Sequence, residues 1–470
     1  MRLATWPIIR KSLPTHIQRE FRGVNKLDAF SIGEQYATDI KNLTSKAYPA
    51  MTVRPGFSLI GSAFPAALRG VGVWKDTELH AVANGVWSKW NGSAWTTLAS
   101  GLNTSAMWSF TNFKGNLADI GLIATNGVDP IKVYVSGSVS NLATAPAGGN
   151  FIEAYEDRLY CAVGQELRFS AYRMANDWTT VDGEDTDAGY ITVETPSGEA
   201  INGLRAGIGH VTIFKPSSIH ELFGSSPSDY RVIPVTTEVG IINHNCSVVI
   251  GGIMYILDNT GIYRYAGGTP PRKDFSAPVQ WYVDNMNAAA KQYACVGTDG
   301  KRLFVALPIE SSTAPDTILE YDPDFGFWYV YKDASPLVMA KWQDTLVVGE
   351  NSGKVRKLSG TTDDGAPITW HWVSKPFGSG SMNQKIRWYR MWLVVDVPVG
   401  SSINVYLSPS ASGDNDWVLV KSITGNLQSV RIPIIPSQIA NSNWIRLKLS
   451  GTGPVTIYEI DREQQELPII

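Results

Sequence analysis

The sequence predicts an all-β protein: a β-propeller of about seven blades, with six as the alternative count, between an N-terminal extended arm and a C-terminal β-sandwich. Three observations carry that prediction. Short strand-like runs are separated by turn dipeptides, and the pattern returns at a spacing of roughly 40 residues, near the period of propeller blades. The composition joins 18% charged residues to 43 Gly, 26 Pro, 16 Trp and 19 Tyr among 470 residues, as many short strands and tight turns require. The hydrophobic share of 44% is ample for large cores.

The clearest unit runs from Val71 to Leu98. Its runs Val71 to Trp74, Leu79 to Ala83, Val86 to Trp90 and Ala94 to Leu98 are separated by Lys75-Asp76, Asn84-Gly85 and Asn91-Gly92, dipeptides suited to reversing a chain between antiparallel strands. A comparable unit spans Phe151 to Val181, with Asp177-Trp178-Thr179-Thr180 expected as its closing strand. Further copies fall at Met107 to Asn141, Tyr190 to about Gly240, Ser247 to Ala266, Tyr293 to Tyr331 and Leu337 to Leu358. Residues 278–290 break the pattern and read as a short helix on the rim. Phe325 to Tyr331 reads as gap-filling between adjacent sheets, with a sugar-stacking platform as the alternative.

Residues 1–65 form a basic arm, with nine Lys and Arg against four acids. Gly33 to Leu43 is expected to hold one helical turn, and Met51 to Val53 to complete a blade and close the circle. Arg54-Pro55-Gly56 is expected to be a turn, Pro fixing φ and Gly accepting a reversed conformation. The propeller then covers 66–362. From 366 to 470 about seven longer strands suggest a separate sandwich, with Gly378-Ser379-Gly380-Ser381 as a linker inside it.

No catalytic set emerges. The six histidines show no metal-ligand spacing, no Gly-rich run opens a helix as a phosphate cradle, and no cofactor or metal site is expected. Cys161, Cys246 and Cys295 read as buried thiols of a reducing compartment. Nothing resembles an export signal or a membrane span, and a net charge of −3 gives no bulk attraction for nucleic acid. Local charge says more. Residues 151–200 hold eleven acids against three arginines. Asp182, Glu184, Asp185 and Asp187 there stand open to three readings: a solvated loop, an acidic channel or subunit contact, or a cation site. Lys375, Lys385, Arg387 and Arg390 form an acid-free stretch suited to an acidic partner, such as the 151–200 region of a neighbouring copy.

Phe21-Arg22-Gly23-Val24-Asn25, then Asn42-Leu43, then Val53-Arg54-Pro55-Gly56-Phe57 resembles the opening of bacteriophage tail proteins in which such a pattern precedes a β-propeller. The order of basic arm, blades and final β domain is similar to the tail-nozzle or tail-hub proteins of short-tailed phages, also described as packaged-DNA stabilisation proteins. That resemblance implies a non-enzymatic protein of the virion tail, made in the host cytoplasm and assembled as a homo-oligomeric ring, a hexamer in that family. It also implies an adaptor or connector above the ring, a fibre or plug protein below, and double-stranded DNA passing without sequence-specific contacts or membrane insertion. A carbohydrate-binding or glycan-hydrolysing propeller protein is the alternative.

Overall fold

The computed structural model describes residues 13–378, 383–433 and 442–467. Regular structure is almost entirely β and divides into two compact units: Pro55–Ala366, and the paired segments Met1–Arg54 and Pro367–Ile470.

Apart from the short hairpin of Thr362–Asp363 with Ala366–Pro367, Pro55–Ala366 holds seven small antiparallel sheets in chain order. The first is the meander Leu68–Trp74, Glu78–Ala83, Val86–Trp90 and Trp95–Ala99. Its turns follow their dipeptides: Lys75 and Asp76 have φ of 50° and 60°, Asn84 and Gly85 of 50° and 70°. Two consecutive positive φ values match the twist of the flanking strands. Four-stranded meanders recur at 109–141, 151–192, 203–236 and 295–331. The fifth sheet has three strands, Ser247–Ile250, Ile253–Asp258 and Gly261–Tyr265. Pro270 and Pro271 follow and carry no N–H, so its outer edge gains one bridge, Arg264 to Arg272, before a 3-10 turn at Asp274–Val279 and the helix Gln280–Asp284.

The seventh sheet, Pro336–Trp342, Thr345–Glu350 and Val355–Leu358, takes its fourth strand from Phe57–Leu59. First strands of neighbouring sheets lie side by side, except that Gly203–Arg205 of the fourth meets the 3-10 turn His244–Cys246 leading into the fifth, and that of the seventh lies against that of the first. The arrangement is consistent with a β-propeller, in which circular closure removes the exposed seam. Cores form between neighbours: Tyr160, Leu167 and Phe169 pack on Val211, Ile213 and Leu222, and Leu68 and Leu79 on Val338 and Val347. Each fully buried side chain of this kind contributes roughly 1.5–3 kcal/mol.

The second unit contains two six-stranded sheets. One orders Leu43–Thr44, Met51–Val53, Thr456–Glu466, Ile386–Asp396 and Gln428–Pro433, with Thr15–Gln18 also on Thr456–Glu466. The other orders Ala37–Lys41, Thr369–Ser374, Trp444–Thr452, Ser402–Ser408 and Val418–Ile423, with Phe377–Gly378 on Trp444–Thr452. The sheets face each other as a sandwich: Phe377 pairs with Ile445 in one, and its ring packs on Trp388 of the other at 5.6 Å between centroids. Trp370, Trp372 and Trp388 are fully buried.

Four expectations are corrected. Met51–Val53 does not complete a blade; Met51 and Thr52 pair with Ile457 and Thr456, and Phe57–Leu59 closes the circle instead. The described strands of residues 13–54 accordingly build the sandwich and not an extended arm, and residues 1–12 of that expected arm lie outside the described residues. The helical turn at 33–43 is replaced by the strand Ala37–Lys41, because Ala37 and Ile40 are buried beside Thr369–Ser374. Asp177 to Thr180 is a loop whose Asp177 carboxylate accepts the N–H groups of Thr179 and Thr180, and the third sheet closes with Gly189–Thr192. The linker expected at 378–381 lies outside the described residues from 379 onward.

Candidate functional site

The first strands of neighbouring sheets line the inside of the circle of sheets, and there polar groups from four of them meet. Ser109 comes from the second sheet, Glu153 from the third, Arg205 from the fourth, and His244 and Ser247 from the entry to the fifth. Arg205 Nη1 donates to Glu153 Oε1 at 2.9 Å, its Nε to Ser247 Oγ at 3.1 Å and its Nη2 to the His244 carbonyl at 3.3 Å. Burial pushes the Glu153 carboxyl up to about 7 against the opposing pull of the Arg205 guanidinium.

The protonation of His244 follows from its neighbours. Its Nδ1 accepts the Leu204 N–H at 3.3 Å, so that nitrogen carries no proton. Nε2 therefore holds the proton and donates to Ser109 Oγ, 3.0 Å away. Ser109 Oγ also accepts the Ile152 N–H at 3.2 Å and donates to the Ile152 carbonyl at 3.3 Å. Phe151 stacks on the imidazole with centroids 4.9 Å apart and planes 18° apart. Burial, with the Arg205 charge adding to it, holds His244 well below its ordinary value. A second proton would set Nδ1–H against the Leu204 N–H. His244 is thus a neutral staple across four sheets, and its two nitrogens are already engaged.

This staple interrupts the axis. A small cavity of about 60 Å³ beside Met107, Phe151 and Leu337, and one of about 250 Å³ beside Arg205, Thr298 and Lys341, share Trp108, Ser109, His244 and Asn245. Sequence reasoning missed the cluster. The one signal available was positional, since Ser109, Glu153, Arg205 and Ser247 each stand on a repeat's first strand.

The acidic loop is built around one inward carboxylate. Asp187 is 5% exposed, and its Oδ2 accepts the N–H groups of Asp182 (2.7 Å), Gly183 (2.7 Å) and Glu184 (3.0 Å). Buried Arg158 fixes the loop from below through the carbonyls of Asp185 and Asp187, both at 2.6 Å. Asp187 is therefore no surface contact, whereas Asp182, Glu184 and Asp185 are exposed. Among the described residues no three His, Cys, Asp or Glu converge as metal ligands.

Two of the four candidate cations are engaged within the chain. Lys375 Nζ donates to the carbonyls of Phe30 at 2.9 Å and Ile32 at 2.6 Å, and Arg390 Nη2 to Glu463 Oε1 at 2.9 Å. Lys385 is exposed and Arg387 half-exposed, its guanidinium over Tyr389 at 5.5 Å.

The signature residues of the N-terminal segment are buried together. Phe21 meets Trp372 edge-on at 6.1 Å, Arg54 Nε donates to Asn42 Oδ1 at 2.9 Å, and Asn42 Nδ2 donates to the Thr369 carbonyl at 2.8 Å. Gly56 needs its missing side chain for a different reason than a reversed turn. A Cβ there would lie 1.9 Å from the Thr362 carbonyl oxygen, and its φ is not in the left-handed region. Elsewhere Cys161, Cys246 and Cys295 are buried free thiols, burial pushing that of Cys161 up to about 12. Phe327–Tyr331 is wholly buried, with Trp328 Nε1 donating to the Phe275 carbonyl at 2.9 Å.

No family model matches the chain, and no curated protein does. Among solved structures it is similar to the WD40 β-propeller domain of Doa1, at 10% identity and TM-score 0.42, over 65% of this chain and 97% of that one. YCF48 from Cyanidioschyzon merolae is similar at 9% identity and TM-score 0.41, over 65% and 98%. The extracellular domain of the putative hybrid two-component system BT4673 from B. thetaiotaomicron is similar at 9% identity and TM-score 0.46, over 78% of this chain and 47% of that one. These are likenesses to β-propeller structures; the sheet-by-sheet description above rests on the chain's own pairings.

Proposed function

We propose that this chain is a non-enzymatic structural protein of a short-tailed phage tail, a nozzle or hub subunit that assembles into a ring and docks adaptor and fibre or plug proteins. The observation that carries the reading is the joint burial of the signature residues. Phe21, Asn42 and Arg54 come from separate parts of the motif pattern, and all three tie the N-terminal segment into the sandwich. A pattern that resembles phage tail proteins thus coincides with an architectural joint rather than with scattered surface positions.

The axis of the sheets supports the non-enzymatic part. A nucleophile or general base needs a free lone pair, a reachable proton and room for substrate. His244 has neither nitrogen free, and Ser109 is saturated by Ile152 and His244. The same blockage bears on the genome's path. A DNA duplex cannot thread an axis closed at His244, so on this reading the conducting lumen is formed between copies.

Negative-stain imaging of purified protein, with turnover assays on bacterial surface glycans, tests the proposal. Rings without glycan turnover are expected. Monomers that hydrolyse glycan would replace it with the carbohydrate-active alternative.

A further inference from the structure

The acidic loop borders a pocket with an apolar floor. Phe169, Val181, Tyr190 and Pro227 line a cavity of about 490 Å³ whose rim carries Glu184 and Asp185. Val181 is 73% and Tyr190 60% exposed, a large apolar area for a surface with no covering element. The rim is preorganised. Asp187 and Arg158 fix the loop backbone, and Asp185 Oδ1 accepts from Ser228 Oγ at 2.6 Å. One face of the Tyr190 ring already carries the Arg168 guanidinium at 5.6 Å.

The chain carries a surface of the opposite character. In the strand Ile386–Asp396, Ile386 and Trp388 are buried and Arg387 alternates to the outer face; Lys385 just before the strand is exposed, and Tyr389, at a bulge, is half-exposed. Lys385 and Arg387 have no acid partner among the described residues, unlike Arg390 with Glu463. The Arg387 guanidinium stands over the Tyr389 ring at 5.5 Å, and the Tyr389 hydroxyl donates to Gln465 Oε1 at 2.7 Å. The row therefore offers two unpaired cations and one aromatic ring, against two carboxylates and an apolar floor.

We propose that the pocket at Val181, Glu184, Asp185 and Tyr190 receives the Lys385, Arg387 and Tyr389 row of a second copy of this chain. This rests on the ring-forming reading above and names the surfaces that would make the ring. The two surfaces differ, so each copy offers one of each, which is the heterologous contact that a closed ring uses. The carboxylates set register and association rate, and burial of Val181 and Tyr190 against Tyr389 supplies affinity.

Two double variants of the full chain test it, E184R/D185R and K385E/R387E. All four side chains are exposed or half-exposed, so each variant stays folded, losing at most the exposed Ser228 to Asp185 bond or the Arg387 to Tyr389 contact. Sedimentation velocity at low salt should show each variant alone assembling at least about tenfold more weakly, because like charges then face each other. An equimolar mixture should recover wild-type assembly, since every contact in an alternating ring is again complementary. Variants that assemble like wild type, or a mixture that fails to recover, overturn the assignment while wild-type rings remain. A wild-type chain that stays monomeric at every concentration removes the ring-forming reading itself.

Discussion

The two units of this chain are closed in opposite ways. In Pro55–Ala366 each sheet but the seventh is made from one continuous stretch, and the seventh borrows the short strand Phe57–Leu59. In the sandwich, by contrast, strands from the beginning of the chain lie beside strands from its end. Asp39 Oδ2 holds His371 Nε2 at 2.7 Å across 332 positions, and Thr15–Gln18 pairs with Thr456–Glu466. Local closure needs few long loops, whereas the sandwich must close a loop of more than 300 residues before its sheets are complete. The first unit is a set of repeats, the second a clasp.

The comparison can be broken most severely at Phe21. Phe21→Ala empties a fully buried site against Trp372 and should lower the stability of the sandwich by about 3–5 kcal/mol. Calorimetry should show its transition moving while that of the propeller unit stays in place. His244→Ala is the reciprocal change. It strips the buried Leu204 N–H of its imidazole partner, removes one of the partners of Ser109 and empties a buried site, and should cost the propeller unit about 2–4 kcal/mol, leaving the sandwich transition unmoved.

Acid should separate the units as well. His80 accepts the Trp87 Nε1–H at Nδ1, so its proton sits on Nε2 toward Glu78, and burial drives it down to about 4. A histidine held below its unfolded value of about 6.5 stabilises the fold above that pH and loses the contribution as pH falls toward 4, about 3 kcal/mol here. His210, His220 and His244 are lowered by burial too and act in the same direction. Glu153, raised to about 7, acts oppositely, its contribution being full below about 4.5 and lost as pH rises through 7. Four groups against one leave the propeller unit weakening between pH 6.5 and 4. In the sandwich, Asp39 is held below the usual carboxylate range by His371 and Lys26 despite its burial, so its contribution persists until pH falls below about 3.8. Asp461, raised to about 6 by burial and Glu459, favours the fold at lower pH. Acid titration followed by near-UV circular dichroism and proteolysis should find the propeller unit opening first.

The smallest predicted effects lie in the acidic loop. Asp187→Asn weakens three charge-assisted hydrogen bonds and should cost about 1–2 kcal/mol, while Asp182→Asn on the same loop should stay within about 0.5 kcal/mol. Urea midpoints of the two variants check the contrast.

These differences also explain what was readable in the chain. Asn84-Gly85 and Lys75-Asp76 announce their hairpins because a turn is decided by the residues in it. Leu43–Thr44 and Met51–Val53 are two and three residues long and pair with each other, and the strand that joins them to the sandwich lies some 400 positions away, so no local pattern assigns them there. Val53 and Phe57 belong to different units although four positions apart. The axial cluster was hidden for a related reason. Ser109, Glu153, Arg205 and His244 are ordinary residues that only circular closure brings together. Asp187 looked like its neighbours Asp182 and Asp185 because nothing in its identity reveals the three N–H groups it faces.

The most direct measurement takes the clasp apart. A chain of 367–470 alone, and the same chain co-expressed with 1–54, would be compared by hydrogen exchange at Ile386–Asp396 and Thr456–Glu466. Thr456–Glu466 has two of its strand partners, Thr15–Gln18 and Met51–Val53, in the absent segment and keeps only Ile386–Asp396, so it should exchange faster in the first sample than in the second. Equal protection in both samples would contradict the account and show that the sandwich forms without the strands of residues 13–54.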